Sequence, residues 1–387
     1  MTLPASGAIS FSQINTELNL SSTAQISLND TAVRTLFGQA SGSVDMNTGH
    51  GKSSVVVGSA LFTTSGCYTW TAPSGVTSVS IVAVSGGAGG GCSIFTQTWY
   101  QNVCPRGGDG GGLGYINNLS VTPGTTYHVK VGPGGLGYSV ILCSYNSQAT
   151  QYRHAQAGGS SYFSYGTAAG TLGQVLGGLA FVNGGSQCYS TGCFAHGTYG
   201  AFIGNGGTGG GFQSTGGGGG GGAGGYSLGC YCGYNHAYFP SGGPGGQTGQ
   251  AGRAGQGGGG GGGSSGFSSC QYGIYNFGAG GGGGGVGIYG QGANGSGSTA
   301  NQGFGGGGGS GGGNGGTGQR LRSASICELF TDGHTGCGGN YGGGGGGPGK
   351  NPNYQALKSS ASNAGGGAVR IVWPGTTRRY PSTCVGA

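Results

Sequence analysis

Few residues in this sequence are of types that do chemistry, and their spacing limits what they can do. The carboxylates are Glu17, Asp30, Asp45, Asp109, Glu328 and Asp332. An enzyme needs acids, bases or nucleophiles held against one another. Glu328 and Asp332 with His334 are suited to acid and base work, but they share one cysteine-flanked segment that reads as a solvated loop. Cys230, Cys232 and His236 offer thiolate and imidazole, which suit zinc, yet one cluster of three lacks the paired spacing of a structural zinc site. Gly51-Lys52-Ser53 has the ending of a phosphate loop, but Met46 stands where that motif needs its first glycine. The sequence therefore predicts no catalytic, cofactor-binding or metal-ligating residue, and no enzyme.

The other reactive residues are the twelve cysteines Cys67, Cys92, Cys104, Cys143, Cys188, Cys193, Cys230, Cys232, Cys270, Cys327, Cys337 and Cys384. An even number falling mostly between glycine runs predicts disulfides and an oxidising environment. Cys92 with Cys104, Cys188 with Cys193 and Cys327 with Cys337 can each close a small loop, whereas Cys230 and Cys232 are too close for an unstrained ring and need different partners. No signal peptide is evident at the N-terminus and no apolar run approaches a membrane span, so membrane insertion is not expected.

What must position these groups is unusual. Of 387 residues 109 are glycine, with runs such as Gly216–Gly222, Gly257–Gly263, Gly305–Gly309 and Gly342–Gly347. At 34% hydrophobic, conventional cores are thin. Segments rich in Tyr, Phe, Asn and Cys break the runs, which a solvated linker does not need. Glycine ordered without collagen's proline period predicts polyglycine II helices packed side by side through lateral backbone bonds. The net charge of +7 is scattered, too dilute for a nucleic-acid footprint.

Along the chain, residues 1–54 read as a helical module. Ser10 and Gln13 have capping-box spacing ahead of Phe11, Ile14 and Leu18, and a second helix carries Val33, Leu36 and Phe37 before Gly38. Residues 55–134 read as a β scaffold with the first glycine runs, 135–367 as the polyglycine II domain, and 368–387 as a closing strand, Ala368–Trp373, with a tail. The fold class expected is thus a small α-helical module, short antiparallel strands and a large domain of packed polyglycine II helices with disulfide-linked loops. Those loops, among them 92–106, 138–156 and 287–304, are expected at both ends of the bundle. Their Tyr, Ser, Asn and Gly composition is that of a paratope, with Trp99, Tyr100, Tyr145, Tyr152, Tyr189, Tyr199, Tyr231, Tyr234, Tyr238, Tyr272 and Tyr275 as candidate contacts.

The run LPASGAISFSQINTELNLSSTAQISLNDTAVRTLFG, closed by GHGKSS, resembles the N-terminal module of bacteriophage tail and tail-fibre proteins, including those of marine and cyanobacterial phages. The remainder is similar in composition to glycine-rich adhesins at the tips of phage long tail fibres. The resemblance implies a virion protein, extracellular after host lysis, that binds a host-cell surface glycan or outer-membrane protein through its loops. It also implies attachment to other virion proteins, or to copies of itself, through residues 1–54, with Phe11, Ile14, Leu18, Val33, Leu36 and Phe37 as the assembly residues. A self-assembling fibre or virion decoration is the alternative.

Overall fold

The computed structural model describes residues 3–18, 20–52, 54, 57–97, 100–137, 140–143, 156–164, 178–182, 197–199, 202–204, 209, 218–226, 242–243, 245, 251–255, 258–263, 268–271, 274–278, 280–298, 304–318, 320–323, 336–347, 356–359 and 362–381. Helix α1 (Phe11–Glu17) starts where the capping box predicts: Gln13 N–H donates to Ser10 Oγ at 3.2 Å, and Ser10 N–H donates to Gln13 Oε1 at 2.8 Å. Helix α2 (Thr31–Phe37) stops at Gly38, whose φ of +73° is a left-handed cap. Ile14, Val33, Leu36 and Phe37 bury one another together with Leu3 and Ile9, so two short helices that are marginal alone share a core. The module closes on itself through Leu3 N–H to the Lys52 carbonyl at 2.9 Å, and Ser54 N–H donates to the buried Glu17 carboxylate at 2.9 Å.

The strands are β1 (Gly58–Phe62), β2 (Gly66–Thr71), β3 (Ser78–Val84), β4 (Gly91–Gln97), β5 (Tyr100–Arg106), β6 (Leu113–Ser120), β7 (Thr126–Val131), β8 (Val140–Cys143), β9 (Ser161–Ser164), β10 (Gly178–Val182), β11 (Gly197–Tyr199), β12 (Phe202–Gly204), β13 (Ser268–Gln271), β14 (Ile274–Gly278), β15 (Arg320–Ser323), β16 (Ala356–Ser359) and β17 (Ala368–Trp373). Two five-stranded antiparallel sheets, ordered β1-β17-β3-β6-β12 and β11-β10-β9-β7-β2, face each other. Val79, Ile81, Val369, Ile371 and Trp373 of the first meet Trp70, Tyr127, Val129 and Phe163 of the second. Trp70 lies at the centre, with ring centroids 5.6 Å from Trp373, 5.9 Å from Tyr127 and 6.0 Å from Phe163.

Strands β3 and β17 are nearly continuous apolar runs because both their faces are covered. The outer face carries Val82, Val84, Ala368 and Val372 against Ala223, Tyr226, Val286, Ile288 and Tyr380. Arg370 is buried among them with its guanidinium 4.2 Å above the Tyr289 ring.

Five strands of this sandwich run on into glycine-rich chain: β3 into 86–90, β7 into 132–137, and the segments 107–112, 156–160 and 362–367 into β6, β9 and β17. Their backbone groups bond sideways. Gly86, Gly87 and Ala88 donate in turn to Gly159, Gly365 and Asp109, at 3.0, 3.1 and 2.8 Å, three different neighbours for three successive N–H groups. Gly282 and Gly285 donate to Gly316 and Gly313, and Gly281 and Gly284 to Gly263 and Gly260.

The expected fold class needs correction. Among the described residues the regular structure is antiparallel β-sheet with two α-helices, and no polyglycine II helix is shown. The β-branched and aromatic strands of the sandwich set the course of the glycine segments, which extend from them as irregular chain. Disulfide linkage is also corrected: among the described residues no disulfide is present, and Cys67 and Cys337 are free, exposed thiols. Cys67 stands opposite Lys130 in the β2–β7 ladder, and the β4–β5 register sets Cys92 opposite Pro105 and Cys104 opposite Ser93 rather than opposite each other. Cys143 and Cys270 are placed by backbone in β8 and β13, while Cys188, Cys193, Cys230, Cys232, Cys327 and Cys384 lie outside the described residues.

A methyl group added at Gly283 meets the Gly221 carbonyl oxygen at 2.0 Å, whereas at Gly366 the nearest atom is 3.8 Å away. Gly283→Ala must separate two segments and strand the Gly283 N–H, now bonded to Gly344 at 2.8 Å. Strain and lost bonding together cost about 2–5 kcal/mol. Thermal unfolding should show a large loss at Gly283→Ala and little change at Gly366→Ala; equal losses would mean that close approach is not what holds these segments.

Candidate binding end of the glycine body

The glycine segments shuttle between two ends. Segments 86–90, 132–137, 258–263, 312–316 and 343–347 lead away from the sandwich, and 107–112, 156–160, 218–225, 280–285, 304–309, 336–339 and 362–367 lead back. Near the sandwich the turns are short: Ser310-Gly311 joins two segments, Asn340–Gly342 joins two more, and Val286 and Ile288 tuck against the first sheet.

At the far end the segments are interrupted by inserts, and the residues where these leave and re-enter are bonded to one another. Gly90 donates to Ser362 at 3.0 Å, Gly280 to Gly347 at 2.9 Å, Gly347 to Gly218 at 2.8 Å and Gly336 to Gly280 at 3.1 Å. Gly263 donates to Phe304 at 2.9 Å, Gly316 to Cys337 at 2.7 Å and Gly89 to Gln156 at 3.1 Å, while Gly137 N–H reaches Asn363 Oδ1 at 3.0 Å. Seven inserts, 91–106, 138–155, 210–217, 264–279, 299–303, 317–335 and 348–361, thus leave from one end. Small sheets tie several together: β4 pairs β5 within the first, β8 pairs β16 across the second and seventh, and β13-β14-β15 spans the fourth and sixth.

Insert 227–241 departs from Tyr226 on the sandwich side and 183–196 joins β10 to β11 of the sandwich, so inserts leave from both ends, with the seven above gathered at the far one. The expected loop 287–304 is largely body: a Cβ at Gly295 or Gly297 would lie 2.4 or 2.2 Å from backbone of a neighbouring segment. Of the candidate contact residues, Tyr100 and Tyr275 fall in β5 and β14 at the insert end, and Tyr199 falls in β11 at the edge of the sandwich. Trp99, Tyr145, Tyr152, Tyr189, Tyr231, Tyr234, Tyr238 and Tyr272 lie outside the described residues, as do Cys230, Cys232, His236, Glu328, Asp332 and His334. Among the described residues no cluster of His, Cys, Asp or Glu could hold a metal ion, and no helix is long and apolar enough to cross a membrane. Of the assembly candidates, Ile14, Val33, Leu36 and Phe37 are buried within their own module, Leu18 packs at its edge, and Phe11 is exposed.

One side chain in this body went unremarked in the sequence except as an acid. Asp109, 1% exposed, accepts from Gly209 N–H through Oδ1 at 2.7 Å, and the same oxygen lies 3.5 Å from Arg106 Nη2. Asp109 Oδ2 and Arg106 Nε are buried without a hydrogen-bond partner. Burial pushes the Asp109 carboxyl up to about 7, against the smaller opposing effects of Arg106 and the Gly209 N–H. The readable signal was a lone carboxylate three residues after an arginine inside a glycine run.

A family model for a glycine-rich domain matches residues 63–299, more than half of the chain. No curated protein matches it.

The Asp109 carboxyl gives a pH signature. Its folded value lies above the ordinary one of 3.8, so the folded state holds the proton more tightly. The stability it contributes is complete below the ordinary value and is lost as pH rises towards 7. Asp109→Asn keeps an acceptor for Gly209 and removes the buried charge. The variant should be the more stable at pH 8, by on the order of 2–4 kcal/mol, and the two should converge near pH 4. Melting curves of both proteins from pH 4 to 8 check this; parallel profiles would contradict it.

Proposed function

Because this chain belongs to the glycine-rich domain family, whose ordered body here leaves little room for side chains, we propose that it is a non-enzymatic binding appendage of a phage virion that engages a host-cell surface through the inserts at the far end of that body. The observation that carries the reading is the convergence of seven inserts on one set of mutually bonded stems. A rigid scaffold presenting many polar and aromatic segments on one face is how binding surfaces are commonly built. The resemblance of residues 3–54 to phage tail modules supports the virion assignment. Disulfide bracing is no part of the proposal, since lateral backbone bonds brace the stems instead.

The exposed Phe11 and Leu20, each 44% exposed on a module with its own core, favour residues 1–54 as the joint to other virion proteins or to copies of this chain. The alternative of a self-assembling fibre or decoration uses the same joint and needs no receptor.

Two measurements separate these readings. Purified protein should bind susceptible cells and compete with the phage for adsorption, and replacing inserts 138–155, 317–335 and 348–361 by short glycine linkers should abolish binding. Binding that survives those replacements, or none by the intact protein, would overturn the adhesin reading. Deleting residues 1–54 should leave cell binding intact and remove incorporation into virions; a truncated chain that still incorporates would exclude the module as the joint.

A further inference from the structure

The seven inserts hold six of the thirteen lysines and arginines but only two of the six acids, and with Asp109, which faces Arg106 just inside the body, the segments of this end carry six cations to three acids. The described part of that end sharpens the bias. In the β13-β14-β15 sheet, Arg322 stands opposite Asn276, Asn276 stands opposite Ser268, and Arg320 stands opposite Gly278. Side chains alternate across a strand, so Arg320, Arg322, Asn276 and Ser268 belong to one face, and the two arginines are about 7 Å apart along it. Leu321, Phe277 and Tyr275 fall on the other face, and the three strands contain no Asp or Glu.

We propose that this arginine face binds the anionic groups, carboxylate or phosphate, of an acidic surface glycan. The inference rests on the adhesin reading above and supplies its ligand class. Arginine presents a planar fork that matches carboxylate and phosphate in pairs of hydrogen bonds. Two arginines at alternate positions of one strand, and so on one face of it, suit successive anions on one polymer. The small polar Asn276 and Ser268 supply donors and acceptors of the kind that sugar hydroxyls need. Clustering net positive charge where the stems converge also raises the rate of encounter with a polyanionic cell envelope.

The test uses the full chain and three polymers: a polyuronate, a polyglycerol phosphate and neutral dextran. The intact protein should bind at least one polyanion and not dextran, with binding that weakens from 50 to 500 mM salt. Preference for the polyuronate or the phosphate polymer identifies the anion. The double variant R320Q/R322Q should lose roughly tenfold or more in affinity with an unchanged melting temperature, and R320K/R322K should lose less because charge is kept while the fork is lost. R379Q, a cation outside the inserts, should bind as the intact protein does. Polyanion binding that is unaffected by R320Q/R322Q, salt-insensitive, or absent overturns the proposal, and the salt series decides even where that variant fails to fold. Whole-cell binding measured alongside keeps the two readings apart: cells bound equally by intact protein and R320Q/R322Q would sink the arginine face and leave the adhesin reading standing, whereas no binding of the intact protein to cells would sink the adhesin reading itself.

Discussion

Everything in this molecule depends on backbones approaching one another more closely than any side chain permits. At Gly259 and Gly308 an added Cβ would lie 1.9 Å from a neighbouring carbonyl oxygen, well inside van der Waals contact. At that separation N–H and C=O groups reach neighbours on several sides, and the chain satisfies its polar backbone with few apolar side chains. Ordering glycine is costly in entropy, and the density of these bonds is what offsets it. The two hydrophobic clusters of the sandwich are therefore an anchor for the body as much as a core: they fix the direction in which five strands leave.

The same constraint explains the electrostatics. A body without side chains offers a buried charge almost nothing to pair with. Asp109 is held by one amide and a distant guanidinium, and its carboxyl rises accordingly. Arg370 shows the opposite arrangement: lodged where aromatic side chains gather, its charge lies over the Tyr289 ring.

Much of the scaffold was legible in the sequence wherever side chains carried it. Ser10 and Gln13 marked the start of α1, Gly38 the end of α2, and the alternation of Tyr127, Val129 and Val131 with His128 and Lys130 marked the buried face of β7. The glycine body was not legible in this way, because glycine has no side chain by which one segment can specify another. Partner choice, such as Gly283 with Gly344, is set by where the strands and turns deliver each segment. The cysteines misled for a related reason: an even count says nothing about distance, and Cys67 sits on an exposed ladder position opposite a lysine. The insert end was readable only in composition. Its polarity comes from segments of similar length that each cross the body once, and the Arg320–Arg322 alternation becomes informative only once 320–323 is known to be a strand.

The stems have a consequence for how such a protein can change over time. Each insert begins and ends on residues held by neighbouring segments, not by the insert itself, so the stems keep their positions whatever the insert's length and sequence, while β8–β16 and β14–β15 couple the second insert to the seventh and the fourth to the sixth. An exchanged or lengthened insert alters its own facet, together with that of any insert its strands pair with, and leaves every anchor point in place. Variation can thus accumulate facet by facet, by substitution or by recombination within the flanking glycine runs, whose near-identical sequences make the junctions interchangeable.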